Sequence, residues 1–338
     1  MKLKTDYPLD SLNTFGIKVD GKYFTRVASV DEIGETAEFA RLHNIPLLVL
    51  GGGSNMLFTR NYDGLVMKVD LMGISKVGET NNHVYIKVGA GENWDDFVKY
   101  CVERNRAGIE NLSLIPGNVG ASPIQNIGAY GVQMEDHFEE LDFCHFEKNH
   151  IVSYSKEDCA FGYRDSIFKK TLKGKGVVTS VTFRLDKNPV LKTGYGNIRE
   201  ELEQMKVKEP TIQDLRESVI RIRTRKLPDP KVLGNAGSFF KNPTVAVEMR
   251  EKLLASHPGL VSFSQPDGTF KLAAGWLIEQ CGWKGVRVGD AGVHKDQALV
   301  LVNFGGATGN EIFDLSEQVR DSVKNKFGIE LEREVNVY

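Results

Sequence analysis

A glycine-rich segment from 111 to 131 constrains the fold of this chain more than any other part of the sequence. Between Leu114 and Gly131 the segment carries no charged side chain, and apolar residues separate its glycines. Such a segment can wrap a flat apolar ligand and offer it backbone hydrogen bonds. A long Ω-loop packed on itself is the alternative, and the residues alone favour neither interpretation.

A second loop, Gly51-Gly52-Gly53-Ser54-Asn55, follows a short buried strand predicted over 47–50. Successive backbone N–H groups in such a loop can cradle a pyrophosphate. The loop is not a P-loop, because no Gly-Lys-Ser/Thr follows, and its contiguous glycines do not fit the dinucleotide fingerprint. The alternative is a plain tight turn, and this loop taken alone favours the turn over a phosphate-binding role.

Composition excludes several classes of protein. The 338 residues predict two or three domains, and a formal net charge of −2 argues against a general nucleic-acid binder. No apolar run approaches the ~18 residues of a membrane span, and the start of the chain has no apolar signal core. The four cysteines are scattered, with no Cys-x-x-Cys pair, which predicts reduced thiols, no metal site and a cytoplasmic protein. We expect a monomer.

Local patterns predict the order of the elements. Capping boxes at 29–32 and 308–311 indicate two helix starts. Helical spacing of apolar residues predicts helices from about 93 to 102 and from 211 to 226, and further helices are expected near 245–256 and 272–281. A hairpin is expected through Lys148-Asn149, and the alternating residues Ile329 to Val337 predict a final strand.

Both loops, together with three further motifs, resemble a known family. The motifs are Phe-Gly-Tyr-Arg-Asp-Ser-Ile-Phe at 161–168, Gly-Asn-Ala-Gly-Ser-Phe-Phe-Lys-Asn-Pro at 234–243 and Leu-Glu-Arg-Glu-Val at 331–335. With Asn-Thr-Phe-Gly at 13–16, they run through almost the whole chain. The sequence resembles the UDP-N-acetylenolpyruvoylglucosamine reductases, which are FAD-dependent enzymes of peptidoglycan precursor synthesis.

The resemblance implies an α+β fold. An FAD-binding domain of the vanillyl-alcohol-oxidase-like type, made of two α/β lobes, would precede a C-terminal α/β substrate domain. We place these segments at 1–72, 73–209 and 210–338. The resemblance also implies non-covalent FAD, with NADPH as hydride donor and a nucleotide sugar as substrate. The implied FAD contacts are Gly51, Gly52, Gly53, Ser54, Asn55, Pro116, Gly117, Gly120, Ala121, Ser122, Ile124, Asn126, Gly128 and Tyr130.

Three residues have implied catalytic roles. Arg164, which alone would be read as a surface arginine, suits the developing charge of an enolate because a guanidinium stays ionised. Glu334, otherwise an ordinary strand carboxylate, matches a family glutamate beside the substrate carboxylate. Ser238, otherwise a strand-start hydroxyl, matches the family's proton donor, and no spacing in the sequence suggests a hydrolase triad.

The implied substrate contacts are Tyr163, Tyr195, Lys226, Asn242 and Gln297. Tyr195 matches a mobile-loop tyrosine that covers the nucleotide in the longer type of the family, and Lys226 matches a contact to the diphosphate. The basic cluster around Lys226 would otherwise be read as a solvated helix end. Ala121 and Asn336 depart from residues that some relatives carry. A flavin oxidase and a non-catalytic nucleotide-sugar binder are the rival interpretations.

Overall fold

The computed structural model describes residues 1–147 and 149–338. Its α-helices are α1 Val30–Leu42, α2 Trp94–Val102, α3 Lys156–Cys159, α4 Ile198–Gln204, α5 Ile212–Lys226, α6 Val247–Ser256, α7 Ala274–Gln280 and α8 Gly309–Phe327. Short 3-10 turns cover Asp10–Leu12, Glu110–Leu112, Val119–Ala121, Met134–Asp136 and Ile167–Lys169.

The strands are β1 Lys4–Pro8, β2 Asp20–Val27, β3 Leu47–Leu50, β4 Met56–Leu57, β5 Tyr62–Val69, β6 Ile74–Glu79, β7 His83–Gly89, β8 Gly128–Ala129, β9 Val132–Gln133, β10 Phe138–His145, β11 His150–Ser155, β12 Gly176–Asp186, β13 Gly234–Ser238, β14 Thr244–Val245, β15 Ser262–Ser264, β16 Phe270–Leu272, β17 Arg287–Val288, β18 Ala291–Val293, β19 Val300–Asn303 and β20 Asn336–Val337.

The chain divides into two compact units. Unit one contains Met1–Tyr7, Asp20–Gly53 and Tyr62–Arg225, and unit two contains Pro8–Val19, Ser54–Asn61 and Lys226–Tyr338. Unit one therefore continues to Arg225, in the last turn of α5, and the predicted segment boundary at 209/210 stays a prediction. The division of the FAD-binding region at residue 72 stays a prediction.

The first sheet of unit one has the order β1-β2-β5-β3, and β2 and β3 both run parallel to β5. A parallel connection needs a crossover, which α1 provides between β2 and β3. Ser29 caps α1 by accepting a hydrogen bond from the amide of Glu32, as the sequence predicts. Strand β3 ends at Leu50, so the first glycine loop follows directly from the carboxyl end of this strand.

The second sheet of unit one is antiparallel, with the order β11-β10-β12-β7-β6. Helix α2 packs its apolar face into the core beside it, and the ring centroids of Phe97 and Phe183 are 5.0 Å apart. The indole N–H of Trp94 donates to the carbonyl of Leu112 at 2.9 Å. A buried aromatic residue therefore attaches the glycine-rich segment to the core of unit one.

Unit two contains an antiparallel sheet of order β13-β19-β18-β17, a small sheet of order β14-β16-β15 and the parallel pair β4–β20. Helix α8 begins with the predicted capping box at Thr308 and Glu311 and ends at Gly328, whose φ of +69° suits glycine. Its first residue, Gly309, lies against the carbonyl of Phe58, where a Cβ atom would clash.

Most predicted elements are confirmed, including the hairpin of β10 and β11, although the turn residue Lys148 lies outside the described residues. The prediction of a final strand over 329–337 is wrong for most of its length. Only β20 is a strand, while Phe240 and Arg333 form an isolated bridge. The alternation was misleading because separate contacts to Phe239, Lys241 and α8, rather than a continuous strand ladder, hold residues 332–334.

The cysteines are free, as predicted. Within the described part of the chain, no helix has the length and apolarity needed to cross a membrane. The same residues contain no cluster of histidine, cysteine and carboxylate side chains that could hold a metal ion.

Asp95 holds three parts of unit one together. Its carboxylate accepts two hydrogen bonds from the guanidinium of Arg216 on α5, at 2.7 and 2.9 Å. It also accepts a 2.6 Å hydrogen bond from the amide of Leu114, within the glycine-rich segment. Burial alone would raise the pKa of Asp95, but the hydrogen bonds from Arg216 and Leu114 outweigh burial and lower this pKa.

The folded state lowers the pKa of Asp95 below its unfolded value of ~3.9. The ionised carboxylate therefore stabilises the fold at pH values above this unfolded pKa, and the stabilisation is lost as the pH falls through the pKa of the folded state. We predict that Asp95→Asn lowers the free energy of unfolding by about 2 kcal/mol at neutral pH. The difference should become smaller as the pH is lowered below the unfolded pKa of ~3.9. Urea unfolding at neutral pH and at acidic pH measures it.

Asp96→Asn is the matched control, because Asp96 is the next residue of α2 and is exposed. This control should change stability by no more than about 0.5 kcal/mol. An Asp95→Asn effect that is as small as the control, or that does not change with pH, would contradict the assigned role.

Candidate functional site

The two glycine-containing loops meet within unit one. A Cβ atom placed on Gly52 would lie 2.7 Å from the Cα atom of Gly117 and 2.8 Å from Oδ1 of Asn118. Real Cβ contacts are not this short, so the two backbones can approach this closely because position 52 is glycine. Gly117 also has a φ of +119°, which strongly favours glycine. The sequence requirement at these positions is therefore steric.

A space remains beside this contact. A Cβ atom on Gly51 would have the Cβ atoms of Asn118 and Ala121 as its nearest neighbours outside the loop, each 3.9 Å away. Asn118 is held by the donation of its Nδ2 to the carbonyl of Gly91 at 2.6 Å. The space is thus lined by loop backbone and small side chains. These residues fit a cofactor that combines a phosphate group with a flat apolar ring.

Several predicted FAD contacts turn their polar side-chain atoms inward. The amide of Asn126 donates to Glu135 at 2.8 Å and to the carbonyl of Gly162 at 3.2 Å, and its Oδ1 accepts from the amide of Glu135. The hydroxyl of Ser122 donates to the carbonyl of Val119 at 2.8 Å. These two side chains shape the loop, so a cofactor would meet mainly its backbone and its apolar residues.

The remaining predicted contacts take varied positions. Gly120 donates its amide to Ala90, and Ile124 offers its carbonyl to Ser166. Gly128 lies against Arg164, while Pro116 is exposed and Gly53 is buried. Ser54 and Asn55, at the end of the first loop, belong to unit two rather than unit one.

Arg164 lies beside the glycine-rich segment. Its Nη2 donates to the carbonyl of Gly128 at 2.7 Å, and its Nη1 donates to that of Asn126 at 3.4 Å. The guanidinium also lies 5.6 Å from the ring centre of the exposed Tyr163. The backbone of Arg164 has a φ of +53°, a left-handed conformation that costs free energy for a residue with a side chain. Such strain persists where the surroundings fix a side chain in one place.

Tyr130 connects the glycine-rich segment to α5. Its phenol lies close to the guanidinium of Arg223, and burial raises the pKa of Tyr130. Burial also lowers the pKa of Arg223, whose Nε has no hydrogen-bond partner among the described residues. Tyr195 lies next to this pair, since a Cβ on Gly131 would come within 3.2 Å of the Cβ of Tyr195. The structure therefore brings Tyr130, Arg164 and Tyr195 to one segment.

Ser238 and Glu334 lie close together in unit two. Ser238 ends β13 and is exposed, and the next residue, Phe239, accepts a 2.8 Å hydrogen bond from the amide of Glu334. An irregular register precedes Ser238, and Gly237 there has a φ of +70°. The Oδ1 of Asn235 stabilises this turn by accepting from the amide of Gly237 at 3.0 Å. A hydroxyl and a half-buried carboxyl group therefore project from adjacent segments.

Asn55, predicted to contact FAD, also adjoins Glu334. Its Nδ2 donates to the carbonyl of Glu334 at 3.3 Å, and its own carbonyl accepts from the amide of Asn336 at 3.2 Å. The end of the first loop and the C-terminal motif are therefore held together within unit two. Asn336, where the chain departs from some relatives, has a structural role here.

Two predicted substrate contacts adjoin the first turn of α7. Asn242 accepts a hydrogen bond from the amide of Ala274 at 2.9 Å through its Oδ1, which leaves Nδ2 as a donor. The Oε1 of Gln297 lies 3.2 Å from the position of a Cβ on the next residue, Gly275. These two amide side chains are therefore neighbours within unit two.

Lys226 differs from the rest of its basic cluster. Arg221 pairs with Glu217, Arg225 pairs with Glu201, and Arg223 contacts Tyr130. Lys226 is exposed, and within 1–147 and 149–338 it has neither an ion pair nor a hydrogen bond. Its ammonium group is therefore available to an anion. The predicted catalytic set is divided between the units, with Arg164 in unit one and Ser238 and Glu334 in unit two.

Sequence reasoning missed the residues that hold the loops in shape, namely Asp95, Asn111, Asn118, Arg223 and Asn235. Each is a polar or charged side chain: Asp95, Asn111 and Asn118 bond backbone groups of distant segments, Arg223 lies close to the distant Tyr130, and Asn235 bonds the nearby amide of Gly237. The asparagines within the glycine-rich motifs gave a usable signal, because few asparagines in such segments are explained by solvation alone. Asp95 and Arg223 gave none, since their partners lie far away in the sequence.

Comparisons with known proteins agree with the geometry. The FAD binding domain family matches residues 22–152, and the UDP-N-acetylenolpyruvoylglucosamine reductase C-terminal domain family matches residues 229–338. A UDP-N-acetylenolpyruvoylglucosamine reductase of Amoebophilus asiaticus is 48% identical over 337 residues, covering 100% of this chain and 99% of that protein. The chain belongs to the UDP-N-acetylenolpyruvoylglucosamine reductase family.

A second reductase, from Pseudomonas syringae pv. tomato, is 47% identical over 98% of this chain and 97% of its own length. The crystal structure of the Thermus caldophilus reductase superposes with a TM-score of 0.70 at 24% identity, covering 100% of this chain and 98% of that chain. The mixed α and β fold predicted from the sequence is thereby confirmed. The predictions of an enzyme, an oxidoreductase and an FAD cofactor are also confirmed.

The space beside Gly51 provides a test of where FAD binds. We predict that Gly51→Ala leaves the melting temperature of the FAD-free protein unchanged but weakens FAD binding, because its methyl group would occupy the space at an ordinary van der Waals distance of 3.9 Å from Asn118 and Ala121. Gly52→Ala should lower the melting temperature as well, because its methyl group meets Gly117. Thermal melting and flavin fluorescence titration of both variants measure the two effects. Normal FAD affinity in Gly51→Ala would show that the cofactor lies elsewhere.

Proposed function

We propose that this enzyme reduces the enolpyruvyl ether of UDP-N-acetylglucosamine-enolpyruvate to the lactyl ether of UDP-N-acetylmuramate, with NADPH as the reductant. The observation that carries the proposal is the near-complete coverage by relatives of this name at 48% and 47% identity. The local geometry of Arg164, Ser238 and Glu334 supports it. The substrate would be a nucleotide sugar, and the product a precursor of peptidoglycan.

FAD, when bound, supplies the hydride to the methylene carbon of the enolpyruvyl group and is itself reduced by NADPH. In the proposed arrangement Gly51, Gly52 and Gly117 let the backbone approach the cofactor closely. Asn118 and Ala121 line the space between the loops. The task of the other site residues is to bind the substrate and to manage charge and protons at its reacting carbons.

Arg164 is proposed to bind the substrate carboxylate and the enolate that develops beside it. A guanidinium stays ionised and offers a planar set of donors that matches a carboxylate. Its bonds to the carbonyls of Gly128 and Asn126 fix its direction before the substrate arrives. A preorganised cation needs no reorganisation as charge develops, which is why such groups are effective in catalysis.

Ser238 is proposed to deliver the proton to the carbon next to the carboxylate. A hydroxyl is a weak acid, so it can face a strongly basic enolate carbon without being ionised beforehand. Glu334 lies on the adjacent segment. We propose that its carboxyl group, when protonated, donates a hydrogen bond to the enolate. The turn stabilised by Asn235 would aim the Ser238 hydroxyl at one face only.

The nucleotide part of the substrate is proposed to contact Tyr163, Tyr195, Lys226, Asn242 and Gln297. Lys226 suits the diphosphate, because it is an exposed cation at the end of α5 and makes no ion pair among the described residues. Asn242 and Gln297 would offer amide groups to the same part of the ligand. Tyr195, between Gly194 and Gly196, would cover the bound nucleotide.

Ser238→Ala distinguishes this function from its rivals. The reaction has two halves, reduction of FAD by NADPH and reoxidation of the flavin by the enolpyruvyl substrate, and only the second half needs a proton on carbon. We predict that FAD reduction by NADPH stays close to normal in this variant. Reoxidation by the enolpyruvyl substrate should slow by ~10²-fold or more, since positioned proton transfer contributes ~10²–10⁴. Ser238→Cys should retain part of the activity, because a thiol can still donate. Stopped-flow absorbance of the flavin, run separately for each half, measures both rates.

Ser264→Ala is the matched control, since Ser264 is an exposed serine in β15 of the same unit. Both half-reactions should be normal in this control. Equal slowing of both halves in a folded, FAD-loaded Ser238→Ala enzyme would contradict the assignment of Ser238 as the proton donor.

A further inference from the structure

Asn111 is fully buried, and its amide group makes two bonds that join distant parts of unit one. Its Nδ2 donates to the carbonyl of Tyr130 at 3.0 Å and to the carbonyl of Lys192 at 2.9 Å. Tyr130 belongs to the glycine-rich segment, whereas Lys192 precedes Tyr195 by three residues. A single carboxamide therefore uses both of its N–H groups to hold the two segments side by side.

The segment around Tyr195 has little regular structure of its own. Residues 189–194 form neither helix nor strand, and α4 begins only at Ile198. Gly196 has a φ of +61°, and Tyr195 is 55% exposed. A segment without a backbone ladder needs side-chain bonds to fix its position. The bond from Asn111 to Lys192 fixes one point just before the glycine-flanked tyrosine.

Contacts on the far side of Lys192 extend this attachment. Gly131 approaches Tyr195, and Gly196 approaches the ring of Tyr130, where a Cβ atom would lie 3.6 Å away. Tyr130 itself has a φ of +50°, and its carbonyl accepts the bond from Asn111. The tyrosine segment thus rests on a stretch whose backbone is already fixed, and Asn111 provides the hydrogen bonds between them.

We propose that Asn111 is a positioning residue that anchors the base of the Tyr195 segment to the glycine-rich segment, so that Tyr195 moves about a fixed point at Lys192. This inference rests on the proposed role of Tyr195 as a cover over the nucleotide. Without the anchor, Tyr195 samples more positions, and ordering it on the ligand costs additional conformational entropy. Asn111 therefore acts on substrate binding only through Tyr195.

The test is a double-mutant cycle with the purified, FAD-loaded enzyme and the enolpyruvyl nucleotide sugar. Asn111→Asp keeps the shape but places an oxygen where both carbonyls need a donor. We expect it to raise KM by about 10-fold, the effect of one or two lost hydrogen bonds, with kcat changed much less. In a Tyr195→Ala background the same substitution should change KM by less than about 2-fold, because residues that act as a unit are not additive.

Asn81→Asp is the control for added charge, since Asn81 is exposed in the turn between β6 and β7. Asn111→Ser, which keeps one donor and adds no charge, should give a smaller rise in KM. It also keeps the test valid if Asn111→Asp fails to fold. Melting temperature and FAD content identify any variant that has lost its fold.

The outcomes separate the two proposals. If Tyr195→Ala leaves KM unchanged, the covering role of Tyr195 is wrong. If Tyr195→Ala raises KM but the Asn111 substitutions leave it normal, the anchor is wrong and the covering role stands. Equal effects of Asn111→Ser in both backgrounds would mean that Asn111 only stabilises the fold, and this result would overturn the inference.

Discussion

The contact between Gly52 and Gly117 is the constraint on which the candidate FAD site depends. Two backbones from distant parts of unit one lie so close that a methyl group on Gly52 would be 2.7 Å from the Cα atom of Gly117. Around this contact the loops can expose backbone groups and still leave room beside Gly51. Position 52 therefore requires a residue without a side chain for steric reasons.

The rest of the site is built from partly or fully buried polar side chains that bond to loop backbone. Asp95 holds the amide of Leu114, Asn118 holds the carbonyl of Gly91, and Asn126 holds the carbonyl of Gly162. Irregular segments have no ladder to satisfy their backbone groups, so these side chains replace it. Several loop residues in turn adopt left-handed backbone conformations, among them Leu114, Asn126, Tyr130 and Arg164. Three of these strained positions, Asn126, Tyr130 and Arg164, are among the predicted site residues, as expected where function needs a fixed geometry.

The sequence allowed much of this to be predicted. Local signals located α1, α2, α5 and α8 well, because caps and apolar periodicity act within a few residues. The alternating residues before Val337 gave a wrong prediction, because strand formation depends on a partner that the sequence does not identify. The roles of Asp95 and Asn111 could not be predicted either, since their partners are backbone groups of distant segments. Sequence motifs identified the candidate catalytic residues, but only the structure shows that the carbonyls of Gly128 and Asn126 hold the Arg164 side chain in place.

The central claim is that NADPH reduces an enolpyruvyl ether through the bound flavin. The most direct measurement is NADPH consumption by the purified FAD-loaded enzyme under anaerobic conditions, with product analysis by mass spectrometry. The account predicts that NADPH is consumed in a one-to-one ratio with UDP-N-acetylmuramate formed, and that UDP-N-acetylglucosamine without the enolpyruvyl group supports no consumption. An FAD-loaded enzyme that leaves the enolpyruvyl substrate unchanged, or that consumes NADPH equally without it, would contradict the account.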